Sequence, residues 1–386
     1  MYKYRDIWHI AYPILISLVM QTLINVTDTA YMGRVGEVEL GATALVSVYY
    51  LTIYMAIFGF SVGAQIFIGR RNGEGRYNAI GDIVTQGSIF LLGIAGLFIL
   101  LSSWFSPVLL RAIVTSPRIF EACVDYLDWR IWGLLFSAVN VMCRAFFVGT
   151  TRTGVLIWNS VILTLTNVVA NYIFVFGAMG VPAMGIEGAA IGSVIAECIS
   201  MLHFILYVVA KVDVSKYGFA FTLKFSPEII GGILSLSVWT MLQNFLTHAV
   251  WFVFFIAIEH LGEEQLAITN IVRSGSSLLF MPIIAFASTA STLVSNALGA
   301  RRSHDVPLIL RRIITMGYAV IVPLAIVIAI MPQTFMRIFT DNVAICKARW
   351  HRYMLCWALI SWLSPRAFCF MQYRVRETHA LLSLWR

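Results

Sequence analysis

Long apolar runs without charge recur along most of the chain. Nine of them reach the length of about 20 residues that an α-helix needs to cross the hydrocarbon layer of a bilayer. A tenth is poorer, because arginines are scattered through that part of the sequence. The pattern predicts about ten transmembrane helices, at about 7–32, 43–69, 83–106, 131–148, 155–179, 186–210, 230–258, 274–300, 313–336 and 350–371.

The composition agrees with an integral membrane protein. Hydrophobic residues make up 60% of the 386 positions and charged residues only 12%, with a mean hydropathy of +0.84. Such a chain is too apolar to form a soluble surface. The run at 7–32 is too long for a signal-peptide core and has no small-residue cleavage site after it, so we expect a retained helix. The predicted fold class is an all-α integral membrane protein.

The distribution of basic residues predicts the orientation. The formal net charge is +8, but the basic residues fall in short loops and form no continuous face, so nucleic acid is not an expected partner. Up to residue 331, one set of alternate loops carries thirteen basic residues and the opposite set carries four. The positive-inside rule then places the N-terminus in the cytoplasm. The four basic residues on the outer side are Arg34, Arg111, Arg118 and Arg130.

The cysteines carry no recognisable chemistry. None of the six lies in a CxxC motif or at Cys/His ligand spacing. We therefore expect no disulfide framework, no metal site and no cofactor.

An internal repeat organises the chain. Residues 35–73 align without a gap on residues 261–299, at an offset of 226, and ten of the 39 positions are identical. The match covers a loop, a helix and the glycine that follows it, which indicates two parallel repeats of six helices. The predicted domains are a six-helix lobe at 1–210, a polar and basic cytoplasmic linker at 211–227, and an incomplete second lobe at 228–345.

The last part of the sequence breaks this pattern. Two full repeats at this offset need about 450 residues, so we expect the last helices of the second repeat to be missing from these 386 residues. Residues 346–386 contain four of the eleven tryptophans and three of the six cysteines. We interpret 346–386 as an aberrant tail, with a frame-shifted translation as the hypothesis and a divergent genuine tail as the alternative.

An acid in the first predicted helix is the leading functional candidate. A charge at the bilayer centre costs about 2.5–3.5 kcal/mol, so intramembrane acids usually carry function. Asp28 lies about 31 Å along its run at 1.5 Å per residue, near the outer interface, where an ordinary ion pair with Arg34 is the alternative. It shares one helix face with a stripe of residues at i, i+4, i+7 and i+11. The stripe consists of Gln21, Asn25, Asp28 and Met32.

Other intramembrane polar residues extend the candidate site. Asn167 and Asn171 are four residues apart and share a face, which suits either a hydrogen bond between helices or ion ligation. Glu197 is a second acid that could titrate. Candidates for a substrate cleft are Gln21, Asn25 and Met32 in the first half and Gln243, Asn244, His248 and Arg273 in the second.

Three blocks resemble the multidrug and toxic compound extrusion (MATE) family. They are "PILISLVMQTLINVTDTAYMGRVG" (13–36), "NVVANYIFVFGAMGVPAMGIEGAAIGSVIAE" (167–197) and "LGEEQLAITNIVRSGSSLLFMPIIAFASTASTLVSNALGA" (261–300). The resemblance covers residues 1 to about 345. It implies twelve helices in two lobes around a central cleft, cytoplasmic termini, and export of organic cations or other amphiphiles driven by entry of protons or sodium.

The resemblance also implies roles for individual residues. The aspartate matched by Asp28 is the ion-coupling carboxylate of the family. Residues matched by Asn167, Asn171 and Ser193 surround the ion, and we add Glu197 as a further ion-coupling candidate. Many members have aspartate where this chain has Asn171, and the loss of one carboxylate favours protons over sodium.

The sequence therefore predicts a secondary antiporter of the bacterial inner membrane and not an enzyme. Its expected partners are a small amphiphilic substrate and membrane lipid, and its expected state is a monomer. One alternative is a flippase for lipid-linked precursors with a related two-lobe fold, which Arg144 and Arg273 would favour. A membrane-embedded hydrolase or transferase would need clustered acid, His and Arg residues, which the sequence does not show. An inactive truncated product is the last alternative.

Overall fold

The computed structural model describes residues 2–114, 116–219, 226–259 and 263–330. Side chains are described throughout these ranges except at 113, 244–245, 247–279, 325 and 327–330. Every regular element in the described ranges is helical. The α-helices are α1 Tyr4–Val35, α2 Glu37–Gly73, α3 Asn78–Ile113, α4 Pro117–Arg130, α5 Gly133–Gly149, α6 Val155–Phe176, α7 Gly185–Lys211, α8 Val214–Tyr217, α9 Pro227–Glu259, α10 Glu263–Gly299 and α11 Val306–Ile330.

The prediction of an all-α membrane protein is confirmed. Within the described residues, seven helices are long and apolar enough to cross a membrane, and α4 with α5 adds an eighth span if the bent pair counts as one. In lipid, a helix satisfies every backbone polar group within its own segment, so apolar runs of this length fold as helices. The predicted total of ten is not confirmed, since the tenth run at 350–371 and the tail at 346–386 lie outside the described residues.

The surface of α3 shows why these helices belong in lipid. Leu100, Trp104 and Val108 follow each other at intervals of four residues and are 66%, 80% and 68% exposed. An apolar stripe of this size is unfavourable in water and favourable against acyl chains. Helix α3 therefore presents a lipid-facing side.

The fourth predicted span is broken. Helices α4 and α5 are separated at Ile131 and Trp132 and meet at an angle of 49°. Pro117 begins α4, where its missing N–H costs no helical hydrogen bond. The sequence predicted only the apolar second part, at 131–148, because α4 carries charged residues along one side.

The two repeats have matching helices. Helices α2 and α10 are each 37 residues long, and both their first and their last residues differ by the repeat offset of 226. The structure thus places residues 37–73 and 263–299 of the ungapped match on one helix in each repeat.

The chain divides into two compact units. One, the N-terminal unit, is Ile16–Phe245, and the other combines the chain up to Leu15 with the chain from Leu246 on. The N-terminal unit includes most of α1, all of α2 to α8 and the first part of α9. The predicted domain boundaries at 210, 227 and 345 remain predictions.

Close helix contacts in the N-terminal unit depend on glycine. An added Cβ on Gly188 would lie 2.5 Å from the carbonyl oxygen of Phe174, and one on Gly192 would lie 2.1 Å from Oδ1 of Asn171. Small residues let membrane helices approach closely. Gly188 and Gly192 thereby bring α7 against α6 and position the polar residues described below.

A short helix follows the α6–α7 pair. The Asp213 side chain caps α8 by accepting a hydrogen bond from the backbone N–H of Lys216 at 3.0 Å. The Ser215 hydroxyl donates a second bond to the same carboxylate at 2.8 Å. These bonds, led by that of Ser215, hold the pKa of Asp213 below its usual range. Tyr217 at the end of α8 packs edge-on against Phe146 of α5, with ring centroids 5.1 Å apart.

The second unit has its own polar anchors. Arg302 forms an ion pair with Asp305 at 2.7 Å in the 3₁₀ turn Ser303–Asp305, between α10 and α11. The Arg312 guanidinium donates a hydrogen bond to the backbone carbonyl of Tyr2. The start of the chain is thereby attached to α11.

Candidate functional site

Asp28 lies in the N-terminal unit and contacts α6. Its Oδ1 accepts a hydrogen bond of 2.7 Å from Nδ2 of Asn171, which is fully buried. The second carboxylate oxygen makes no hydrogen bond to a described residue. Arg34 is exposed and makes no ion pair with Asp28 in the described part of the chain. The ordinary pairing with Arg34 is therefore not the arrangement in the structure.

The hydrogen bond to Asp28 belongs to a longer chain. Asn171 also donates to Oδ1 of Asn167 at 3.4 Å, and Asn167 donates to Oγ of Ser193 at 3.2 Å. All three of these partners are buried, at 0%, 2% and 8% exposure. The structure brings together the four residues that the family resemblance implied. We call Asp28, Asn171, Asn167 and Ser193 the Asp28 chain.

One acceptor in the Asp28 chain is unused. Oδ1 of Asn171 is buried and has no hydrogen-bond partner among the described residues. The same is true of Oγ1 of Thr164, two turns earlier on α6. An unsatisfied buried acceptor costs about 1–3 kcal/mol, so such atoms are rare in native structures and each one needs an explanation. Asn171 can thus accept a further hydrogen bond from a group that carries a proton.

The Asp28 chain suits a single monovalent charge. It contains one carboxylate, and the described residues include no cluster of three or more His, Cys, Asp or Glu side chains that could hold a metal ion. Divalent cations in proteins are usually held by several carboxylates. The chemistry available at Asp28 is uptake and release of one proton or one weakly held monovalent cation.

Glu197 occupies a different cluster. Its Oε1 forms an ion pair of 2.7 Å with Nη2 of Arg130, and both side chains are largely buried, at 15% and 14% exposure. The Tyr50 hydroxyl approaches the two carboxylate oxygens at 3.4 and 3.5 Å. The Arg130 guanidinium lies 3.8 Å from the centroid of the Tyr50 ring. The structure therefore separates Glu197 from the Asp28 chain, and its predicted role in ion coupling stays a prediction.

Arg130 is the main residue that the sequence interpretation misplaced. The distribution of basic residues places it in an outer loop, whereas the structure buries it at the end of α4. The signal that could have found it is charge balance, because an intramembrane acid such as Glu197 needs a basic partner from a neighbouring helix.

A second hydrogen-bonded chain joins α5, α6 and α7. Nδ2 of Asn140 donates to the backbone carbonyl of Glu197 at 3.0 Å, and Ser200 donates to Oδ1 of Asn140 at 3.3 Å. Asn159 donates to Ser200 at 2.8 Å and lies 3.0 Å from Nδ1 of His203. These buried amides and hydroxyls satisfy one another and fix the three helices.

The predicted substrate-cleft residues fall into three groups. Gln21 and Asn25 are exposed on α1, as expected for residues that a substrate could reach, whereas Met32 is completely buried. Gln243 is half-buried on α9. The side chains of Asn244, His248 and Arg273 lie outside those that the structure describes. The stripe on α1 therefore passes from an exposed part at Gln21 to a packed part at Met32.

Comparison with known proteins places the chain in a family. The MatE family model matches residues 13–173 and 240–370, which together exceed half of the chain. The chain belongs to the MatE family of MATE transporters. It is a multi-pass membrane protein, and members of this family are transporters and not enzymes.

A named multidrug resistance protein is similar in sequence to part of this chain. The protein named "Probable multidrug resistance protein NorM" from Shewanella oneidensis is 26% identical over 207 residues, which are 53% of this chain. The matched segment spans only 45% of the length of that relative.

Solved structures show the same fold at low sequence identity. An outward-facing multidrug resistance MATE transporter of the MOP superfamily has a TM-score of 0.87 at 19% identity, with 96% of this chain and 82% of the other covered. The eukaryotic MATE transporter AtDTX14 has a TM-score of 0.85 at 17% identity, with the same coverage. A MOP superfamily transporter from Pyrococcus furiosus has a TM-score of 0.80 at 19% identity, with 89% and 76% covered.

Proposed function

We propose that the protein is a secondary antiporter that exports organic cations or other amphiphiles in exchange for protons. The observation that carries the proposal is the hydrogen bond between Asp28 and the buried Asn171 in a chain of the MATE family. Asp28 is the only member of the Asp28 chain with a titratable side chain. A second ion, sodium, is less favoured because Asn171 supplies an amide in place of a second carboxylate.

The free acceptor of Asn171 suggests how protonation changes the site. Ionised Asp28 accepts a hydrogen bond from Nδ2 of Asn171. Protonated Asp28 instead has a hydroxyl to donate, and Oδ1 of Asn171 is the nearby acceptor without a partner. To use it, the amide must rotate and give up its bond to Asn167. Proton uptake would thus be transmitted along the Asp28 chain to α6 and α7.

Transport requires that the proton affinity of Asp28 differ between two conformations of the protein. A proton drives a conformational equilibrium only by as much as its affinity differs between the two states. Protonation of Asp28 from outside would favour the conformation that releases substrate, and deprotonation towards the cytoplasm would reset the protein. The exposed residues Gln21 and Asn25 on the same helix are the candidates that a substrate would meet.

The proposal also includes the membrane, the orientation and the oligomeric state of the protein. The protein would act as a monomer in the bacterial inner membrane with its N-terminus in the cytoplasm, as the excess of basic residues in one set of loops favours. The lipid-linked precursor flippase has less support from the described residues. Of the two arginines that would favour it, Arg144 lies over the Phe58 ring at 5.5 Å, and the side chain of Arg273 lies outside those that the structure describes.

The test is efflux driven by a pH gradient. The chain is reconstituted in proteoliposomes, and export of a fluorescent organic cation is followed after a pH gradient is imposed. We expect Asp28→Asn to lower the proton-driven rate at least tenfold. The matched control is Asp125→Asn, an exposed position on α4, which should transport as the parent chain does. Undiminished transport by Asp28→Asn would refute the coupling assignment.

A further inference from the structure

A basic and aromatic cluster lies where four spans begin or end. Tyr77 directly precedes α3, Arg152 lies in the turn between α5 and α6, and Lys216 and Tyr217 belong to α8, which follows α7. We call these four residues the Tyr217 cluster. All four lie just beyond the apolar helices α3, α5, α6 and α7, which places them at one surface of the membrane.

The ring of Tyr217 has a fixed position in the N-terminal unit. Tyr217 is only 2% exposed, and its ring packs edge-on against Tyr77 with centroids 5.9 Å apart, in addition to its contact with Phe146. The backbone after it is equally close to α3, since an added Cβ on Gly81 would lie 2.6 Å from the carbonyl oxygen of Gly218. Helix α8 is therefore held against the start of α3, with its aromatic ring between neighbouring spans.

Two cations lie around this ring. The guanidinium carbon of Arg152 is 5.6 Å from the centroid of the Tyr217 ring, and Nζ of Lys216 is 5.9 Å from the same centroid. Nζ of Lys216 also lies 4.3 Å from the centroid of Tyr77. Because aromatic faces attract cations, the two exposed side chains are directed to one place. Both charges are thus within reach of a single lipid headgroup.

The cluster lacks an acid that would neutralise it. Neither Arg152 nor Lys216 forms an ion pair within the described ranges. The Asp213 carboxylate is engaged in the cap of α8, so it offsets only part of the positive charge. On the neighbouring turn, by contrast, Glu74 forms ion pairs of 3.1 and 2.8 Å with the two arginines at the end of α2. An anion from outside the chain can therefore complete the cluster.

The adjoining spans present apolar side chains to lipid. Trp158, in the first turn of α6, is 67% exposed, and Val209, in the last turn of α7, is 68% exposed. Such residues at the ends of spans suit contact with acyl chains and the headgroup boundary. A molecule that carries both an anionic group and acyl chains thus fits this surface better than a soluble anion does.

We propose that the Tyr217 cluster binds the headgroup of an anionic phospholipid, with its phosphate between Arg152 and Lys216. Lysine and arginine at a membrane surface attract anionic lipids, and tyrosine is typical of the headgroup level. In the proposed orientation the lipid belongs to the cytoplasmic leaflet. The site does not depend on the proposed transport function.

The test is thermal unfolding of the full chain in nanodiscs of two compositions, phosphatidylcholine alone and phosphatidylcholine with phosphatidylglycerol. A ligand that binds the folded state raises the midpoint of unfolding. We expect phosphatidylglycerol to raise the midpoint of the parent chain by about 2–4 °C. Arg152→Gln/Lys216→Gln should lose at least half of this rise, and high salt should reduce the rise in the parent chain.

The matched control removes the same charge from the same membrane surface. Arg76→Gln/Lys211→Gln changes two exposed positions outside the Tyr217 cluster, and it should keep the rise. An equal loss in both double variants would show that any positive charge on this surface suffices, and it would overturn the site. A parent chain whose midpoint does not rise with phosphatidylglycerol would overturn it as well.

Inorganic phosphate separates a lipid from a soluble anion. It is added to the parent chain in phosphatidylcholine nanodiscs, where we expect no rise in the midpoint. A rise as large as that with phosphatidylglycerol, lost in Arg152→Gln/Lys216→Gln, would assign the cluster to soluble phosphate and refute the lipid.

Two milder variants keep the test informative if the double variant does not fold. Arg152→Gln removes one cation, and Tyr77→Leu removes the ring closest to Nζ of Lys216. Each should lower the rise given by phosphatidylglycerol, whereas Tyr77→Phe keeps the ring and should behave as the parent chain. An undiminished rise in both Arg152→Gln and Tyr77→Leu would overturn the proposal.

Discussion

At the scale of single residues, a carboxylate and a neighbouring amide carry the candidate coupling chemistry. Nδ2 of Asn171 lies 2.7 Å from Asp28 Oδ1, a distance typical of a bond to a charged acceptor. The amide has no charge to lose, so it orients the carboxylate without competing for the proton. The identity of residue 171 should therefore decide which ion the site accepts.

Asn171→Asp tests this directly. Two carboxylates at this distance cannot both be ionised without a cation between them. We expect sodium to stimulate efflux several-fold in the variant while leaving the parent chain unaffected, measured as transport against external sodium at constant pH. Asn171→Ser is the uncharged control. Equal sodium dependence in all three proteins would show that the second carboxylate does not select the ion.

The sequence could predict the Asp28 chain but not the Arg130–Glu197 ion pair. The resemblance of 13–36 and 167–197 to the MATE family identified Asp28, Asn167, Asn171 and Ser193, and the structure brings these four together. Arg130 stands at the edge of an apolar run, where loop and span look alike in sequence. Its partner Glu197 lies 67 residues away, so only the packing of α4 on α7 reveals the pair.

At the scale of elements, the α6–α7 pair depends on backbone approach at Gly192. We expect Gly192→Ala to lower the free energy of unfolding by about 1–3 kcal/mol, because its Cβ would collide with Asn171 and overpack the interface. Thermal unfolding in detergent gives the measurement. Gly96→Ala is the control, since an added Cβ there meets no atom within 4 Å in the middle of α3. A Gly192→Ala protein as stable as Gly96→Ala would show that the helices can separate without cost.

The helices themselves were predictable because each reaches spanning length without charge. The bend between α4 and α5 was not, because α4 mixes buried residues such as Ala122 and Leu127 with exposed charges such as Glu121 and Asp125. The hydropathy averaged over such a segment resembles that of a loop. Its helical nature depends on burial against α2 and α7, which a local pattern cannot report.

At the scale of the whole molecule, the repeat was readable from sequence because helix length is preserved. Helices α2 and α10 have 37 residues each, so helix and final glycine stay in register. The limits of the compact units were less readable. Helices α1 and α9 each contribute residues to both units, with limits at Leu15/Ile16 and Phe245/Leu246, and no change of composition marks either point.

The orientation in the membrane can be tested by labelling in cells. Starting from a cysteine-free chain, Met179→Cys places a thiol in the turn between α6 and α7, where Met179 is 87% exposed. Arg76→Cys places one in the turn between α2 and α3, where the Arg76 side chain is 70% exposed. We expect a membrane-impermeant maleimide to label position 179 from outside and position 76 only after permeabilisation. The reverse result would invert the proposed topology.

The Arg130–Glu197 pair has a consequence for how the protein is made. Arg130 leaves the ribosome 67 residues before its partner, and a lone arginine in hydrocarbon costs about 2.5–3.5 kcal/mol. We therefore expect the nascent α4 to stay at the bilayer surface, or within the insertion machinery, until α7 has been synthesised. We expect stable insertion of the spans α1 to α6 to be completed only when the sixth span, α7, enters the membrane.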